Sequence, residues 1–288
     1  MNVAGAGELG LLQQIKPYLA AQSGQDDAAV IADDIGFVVA SCDMFVEGVH
    51  FDLGWMTADN AGWRSMALAL GDLAAKGASP LWALTSLAMP KRWTVDHLTG
   101  LYKGMAAMAQ ETGLMIVGGD MSSTEGPAVL SITVAGRTNV LPLARAQAEA
   151  GWSVAVTGPL GGAEVALRQR RAFLLKPRLD EGRRLNEAGL CCGDISDGLV
   201  REMEKFAAMA GVGCVIHAED VPRALDATQM DALISGEEAE LVCVGPDAII
   251  QQASLRKVGE LTGDGKVRVV DAQGAPVALP RTGYDHFA

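Results

Sequence analysis

Six short acidic segments hold the residues of this chain that could do chemistry. Gln25-Asp26-Asp27, Ser41-Cys42-Asp43, Gly71-Asp72-Leu73, Gly118-Gly119-Asp120 and Asp194-Ile195-Ser196-Asp197-Gly198 set aspartate beside glycine, serine or an apolar run, and Ser235-Gly236-Glu237-Glu238 does the same with glutamate. Carboxylates at the ends of hydrophobic runs, spread over most of a chain, suggest one shared site. Gathered without bases they repel. Divalent cations relieve that repulsion, and hard oxygen donors favour magnesium. Magnesium held by carboxylates usually also holds phosphate.

Each segment has a plainer reading beside that one. Asp43 ends the run Phe37–Cys42, where it can project into a cleft or simply occupy a turn. Asp72 lies within an apolar helical stretch that disfavours aspartate, and Lys76, one turn on, offers it a salt bridge as the alternative to a ligand role. Gly118-Gly119-Asp120 reads as a loop after a strand, with glycines that permit close backbone approach. Asp194–Gly198 precedes a helix start, so Ser196 or Asp197 can cap it, and a helix N-terminus attracts phosphate. His50, near Asp43 in Glu47-Gly48-Val49-His50-Phe51, is either a structural histidine or a donor to an anionic substrate. Gly158–Gly162 resembles a phosphate cradle but lacks the P-loop lysine. No GxSxG elbow and no zinc spacing of His and Cys is present.

The elements that must position these residues follow from periodicity and punctuation. Strands are expected at Ala28–Ile31, Phe37–Ser41, Leu81–Ala88, Leu114–Val117 and Ala128–Ala135. Between them, helices are expected from Asp59, as cap, to about Lys76, with Gly77 ending it, and over Thr94–Thr112 before Gly113. The first part is therefore β-β-α-β-α-β-β. An irregular stretch around Asn139–Gly151 divides the chain into an N-terminal part (1–138) and a C-terminal part (139–288). In the latter, Val154–Thr157, Cys214–His217, Glu240–Val244 and Lys257–Leu261 read as strands and Asp180–Ala188 and Leu199–Ala210 as helices. Val267–Val270 and Pro276–Leu279 read as a closing hairpin around Gly274. The fold class is α/β, with two domains.

Composition narrows the partners. The 288 residues are 49% hydrophobic, enough for a sizeable core, and the formal net charge of −12 argues against nucleic acid or an anionic membrane surface. No basic stretch leads into an apolar run at the N-terminus, and no membrane span is expected. Five scattered cysteines without a CxxC pair suit reduced thiols in the cytoplasm.

Together the motifs resemble those of the thiamine-monophosphate kinase family, within the superfamily of aminoimidazole-ribonucleotide synthetase and selenophosphate synthetase. The matching stretches are Gly7-Glu8-Leu9, Asp26–Val30, Asp43 with Val46–Phe51, Gly71–Ala78, Gly118–Asp120, Asp194–Leu199 and Gly283–Phe287. The resemblance implies ATP-dependent phosphorylation of thiamine monophosphate to thiamine diphosphate. It implies several magnesium ions at Asp26, Ser41, Cys42, Asp43, Asp72, Asp120, Asp194 and Asp197. It implies nucleotide contacts at Tyr102, Gly119, Asp120, Arg145 and Ser196, and substrate contacts at His50, Glu237 and Tyr284. It also implies a homodimer formed through the N-terminal sheet and an active site in the cleft between the domains. Gln25, Cys42 and Ser235–Glu240 depart from the family's usual glycine, threonine and Gly-Gly-Glu-Asp-Tyr-Glu. The alternatives are another ATP-dependent synthetase of the superfamily, or a non-catalytic nucleotide-binding relative.

Overall fold

The structure, a computed structural model, describes residues 10–11, 14–19 and 26–286. Gly7-Glu8-Leu9, Gln25 and Phe287 lie outside the described residues. The chain forms two mixed sheets with helices. The first contains β1 (Ala29–Asp33), β2 (Gly36–Val46), β3 (Ser79–Pro90), β4 (Met115–Thr124) and β5 (Val129–Thr138) in the order β1-β2-β5-β3-β4. Only β3 and β4 pair in parallel.

Two long helices supply this sheet's core. α1 (Ala58–Ala75) starts at Thr57, whose hydroxyl accepts from the Asn60 N–H, so Thr57 and not Asp59 is the cap. α2 (Val95–Thr112) starts with a reciprocal pair: Thr94 accepts from the His97 N–H and His97 Nδ1 accepts from the Thr94 N–H. It stops at Gly113, which takes φ +74°, a left-handed conformation. The apolar stripes bury Met66, Leu70, Leu73, Leu101 and Met105 against Val39, Leu130 and Ile132.

The helices touch backbone to backbone. A Cβ on Gly62 would fall 1.9 Å from the Leu101 carbonyl oxygen, and one on Gly104 would fall 1.8 Å from that of Asp59. Neither neighbour is a movable side chain. Gly104→Ala should therefore cost at least ~1–3 kcal/mol of unfolding free energy, read as a lowered Tm in calorimetry. An unchanged Tm would mean the helices are not in this contact.

The second sheet holds β6 (Ser153–Val156), β7 (Cys191–Asp194), β8 (Gly213–His217), β9 (Leu241–Gly245), β10 (Arg256–Thr262) and β11 (Val267–Val270), in the order β11-β8-β10-β6-β9-β7. Helices α3 (Gly162–Arg168), α4 (Leu179–Glu187), α5 (Leu199–Ala210), α6 (Gln229–Ile234) and α7 (Asp247–Gln252) complete it. A third apolar cluster joins the halves: Ala74 and Ala75 of α1 pack with Leu185, Leu190, Cys192 and Cys243. The C-terminal end of α1 is thereby fixed against β7. Among the described residues no helix is long and apolar enough to cross a membrane.

Two further expectations are corrected. Gly118-Gly119-Asp120 lies inside β4 and not in a loop, because parallel pairing with Leu84, Thr85 and Ser86 keeps it extended. An edge strand tolerates glycine there. Pro276–Leu279 forms no strand. β11 pairs in parallel with β8, and only an isolated bridge, Val270 to Pro276, remains of the hairpin.

A carboxylate cleft as candidate active site

Where the C-terminal ends of β2 and α1 meet β7, a cavity of about 890 Å³ opens between the two sheets. β2 presents Ser41 and Asp43, and α1 presents Asp72. The segment before β1 brings Asp26 and Asp27, and the end of β7 brings Asp194, followed by Ser196 and Asp197. Carboxylate oxygens of Asp27, Asp72 and Asp194 lie within 4.8 Å of one another. Side chains from three separate parts of the chain thus converge.

The convergence is electrostatically strained. Burial raises Asp72 well above the ordinary carboxylate value, and Asp43, Asp194 and Asp27 push it further. Burial, with Asp27 and Glu202, does the same to Asp194. Asp43 is pushed up to about 6 by burial and by Asp27. Asp72 is bonded by the Ser41 hydroxyl, which donates to Oδ2. Asp27 Oδ2 is buried and accepts no hydrogen bond. A crowded set of hard carboxylate oxygens is the donor set magnesium takes.

Asp26 and Asp27 differ from the other three. Lys76, fully buried, pairs with Asp26 Oδ1 at 2.6 Å and lies 3.4 Å from Asp27 Oδ2. Burial opposes ionisation of Asp26, but Lys76 and Arg145 outweigh it and hold its carboxyl below the usual range. Lys76 therefore serves Asp26 and Asp27, not Asp72, so the salt-bridge reading of Asp72 is removed. Arg145 Nη2 contacts Asp27 Oδ1 and lies 2.8 Å from Glu202 Oε2. Gly193 leaves it room, since a Cβ there would come within 2.7 Å of Nη2.

Asp43, Asp72 and Asp194 hold protons more tightly folded than unfolded. The stability this contributes is complete below the unfolded value of 3.8 and is lost as pH rises through the folded values, about 6 for Asp43. Asp26 titrates below that window. In EDTA the protein should melt higher at about pH 5.5 than at about pH 7.5, and magnesium should raise Tm more at the higher pH. A flat Tm across that range in EDTA would contradict the repulsion.

Asp197 and Ser196 do not cap α5. The cap residue is Gly198 at φ +110°, with no side-chain bond. Asp197 accepts from Lys205 Nζ at 2.7 Å, and Ser196 Oγ lies 3.3 Å from Glu202 Oε1. Gly158–Gly162 is not free for phosphate either: Glu238 Oε1 accepts from the Gly161 and Ala163 N–H groups at 2.9 and 3.2 Å. The chain's own carboxylate fills that helix start.

Across the cleft, His50 Nδ1 accepts from the Val46 N–H, which puts the ring proton on Nε2. Burial lowers its pKa, so it is neutral at pH 7. Its ring stands 5.1 Å from His286, which stands 4.7 Å from Tyr284. Glu237, held at φ +57°, pairs with Arg64 of α1. Three expected residues are elsewhere. Asp43 shares a sheet face with Ile132, Thr85 and Gly119 by register, whereas Asp120 pairs with Ser86 and faces the other way. Three strand spacings, roughly 14 Å, separate β2 from β4. Tyr102 bonds Thr85 at 3.0 Å, and Gly119 backs onto the Thr85 carbonyl. Within one chain Tyr102, Gly119 and Asp120 do not reach the cleft. Cys42 is exposed at its edge.

Asp27, Arg64, Lys76, Glu202, Lys205 and His286 belong to the site or its support and were not expected in it. Asp27 stands beside Asp26 in the first motif, and Arg64 is a charge inside an apolar helix like Asp72, so both left a signal.

The family model described as AIR synthase related protein, N-terminal domain, matches residues 25–138. The fold is that of AIR synthase-related structures. A thiamine-monophosphate kinase of Rhodopirellula baltica is 32% identical over 266 residues, spanning 83% of this chain and 82% of its own. That of Methanopyrus kandleri is 30% identical over 274 residues, with 86% of each covered. A solved structure described as AaThiL complexed with AMPPCP and TMP matches with a TM-score of 0.87 at 26% identity, covering 99% of each chain. The chain belongs to the thiamine-monophosphate kinase family of enzymes.

Proposed function

We propose that the protein transfers the γ-phosphoryl group of ATP to thiamine monophosphate, giving thiamine diphosphate and ADP. The observation that carries this reading is the meeting of Asp27, Asp72 and Asp194 within 4.8 Å, in a cleft whose other wall bears His50, Glu237 and Tyr284. A phosphate oxygen of thiamine monophosphate attacks the γ-phosphorus in line. A new P–O bond forms as the bond to the bridging oxygen of ADP breaks, with no phospho-enzyme.

Both reactants are anions. Two unit charges 4 Å apart repel by about 4 kcal/mol at an effective dielectric near 20. Magnesium ions held by Asp43, Asp72 and Asp194, when bound, would supply the positive charge that offsets this repulsion. Asp197, Ser41 and the main chain at Cys42 complete the metal-binding surface, with Asp27 at its border and Asp26 held by Lys76. Arg145 and Ser196 face the nucleotide phosphates, and His50 Nε2–H donates to the substrate phosphate. Such catalysis is positioning and electrostatics, so a general base is not needed.

On this reading the chain is a homodimer through the outer face of its N-terminal sheet. Met44, Leu84, Met115 and Val117 are exposed on that sheet, which supports burial there. Tyr102, Gly119 and Asp120 then serve a nucleotide from a second copy's side. A monomer in light scattering at assay concentration would remove this part. The enzyme works in the cytoplasm, where its five cysteines stay free thiols.

The decisive assay is coupled ADP release with thiamine monophosphate, ATP and magnesium, with thiamine as control acceptor. Thiamine diphosphate must appear with the monophosphate alone. ATP binding in calorimetry without phosphoryl transfer would overturn the kinase and favour a binding protein.

A further inference from the structure

Lys76 occupies an unusual place for a lysine. Its ammonium is 2.6 Å from Asp26 Oδ1, 3.4 Å from Asp27 Oδ2 and 3.3 Å from the carbonyl oxygen of Cys192. It has no exposed surface and does not line the cavity, so it touches neither substrate in the reaction proposed above. Two carboxylate oxygens and a main-chain carbonyl are the donor set a hard cation takes. An ammonium offers its three donors to the same set from a fixed tether. Arg145 covers much of the rest, through its side chain on Asp27 Oδ1 and its N–H, 3.3 Å from Asp26 Oδ2. Both charges of this pair are therefore matched from within the chain. Asp43, Asp72 and Asp194 make no ion pair with Lys or Arg among the described residues.

The geometry points to Lys76 as a built-in cation of the carboxylate cluster, standing where an exchangeable divalent ion would otherwise lie against Asp26 and Asp27. Divalent ions then load on the unmatched side, at Asp43, Asp72 and Asp194, and the chain binds fewer of them than its carboxylates could hold. Because the tethered charge cannot dissociate, the Asp26–Asp27 side stays ordered without metal. Lys76 is a positioning residue, since it acts through the two aspartates. The inference rests on the proposed function only for the nature of the ions.

The test is a count of bound Mn²⁺ by electron paramagnetic resonance on the full chain, with no nucleotide or acceptor present. It therefore reads out independently of whether thiamine monophosphate is the acceptor. Lys76→Met removes the charge at similar length and should bind about one divalent ion more per chain than wild type. Lys76→Arg, which keeps the charge, should retain the wild-type count. The same count in Lys76→Met and wild type would overturn the inference. If Lys76→Met unfolds in EDTA, recovery of the native Tm on adding magnesium supports the inference. Recovery only with a second substitution, Asp26→Asn, and not with magnesium, would make Lys76 a structural counter-charge and overturn it.

Discussion

Asp72→Asn should cut turnover at least ~100-fold, the cost of losing one electrostatic stabiliser, and should raise the Tm of the metal-free protein at neutral pH. The two effects have one cause. Asp72 is buried among Asp43, Asp194 and Asp27, with the Ser41 hydroxyl as its bonded partner. Its charge opposes folding unless a cation offsets it. An amide removes both the repulsion and the ligand. A merely structural Asp72 would give the opposite pairing, a lower Tm with activity lost in proportion. The measurements are kcat at saturating ATP and magnesium, and calorimetry in EDTA. Near-normal kcat would sink the metal assignment. Asp43→Asn carries the same ~100-fold expectation. Asp120→Asn is the discriminating companion: on the opposite sheet face it should lose turnover with little change in metal-free Tm, because it adds nothing to the crowding.

The sequence made the first half of the fold readable because its signals agree. α1 and α2 carry apolar stripes and stopping glycines, although the α1 cap is Thr57 and not the expected Asp59, and the order β-β-α-β-α-β-β is the observed one. The aspartates of the cleft were legible for a related reason. Asp72 in an apolar helix and Asp43 in an apolar strand conflict with local preference, and such conflicts mark function. Illegible were the properties set by contacts distant in sequence. Lys76 is one turn from Asp72, and helical spacing alone pairs them. Packing of α1 against β7 turns the side chain to Asp26 instead. Glycines suggested a loop at Gly118-Gly119, and only the neighbouring β3 makes them strand. Gly158–Gly162 looks open to phosphate until Glu238, far along the chain, is seen bonded to it.

Glu202→Leu should cost about 3–5 kcal/mol of stability, a Tm lower by on the order of 10 °C. Glu202 has no exposed surface. Oε2 accepts from Arg145 Nη2 at 2.8 Å, and Oε1 accepts from Lys205 Nζ at 2.8 Å. Burial raises its pKa against the pull of both cations, so the pair interactions are balanced against a large desolvation cost. Leucine fills the space but leaves two buried cations short of a partner each. Arg145 would keep only its aspartate contacts, and Lys205 only Asp197. Released from Glu202, Arg145 and Ser196 lose their fixed positions at the nucleotide side of the cleft, so the KM for ATP should rise along with the loss of stability. Glu202→Gln keeps the shape and can still accept one of the bonds, which makes its cost smaller. A Tm for Glu202→Leu within about 1 °C of wild type would mean that Asp27 and Asp197 alone hold the two cations, and that the buried glutamate contributes nothing to the site's rigidity.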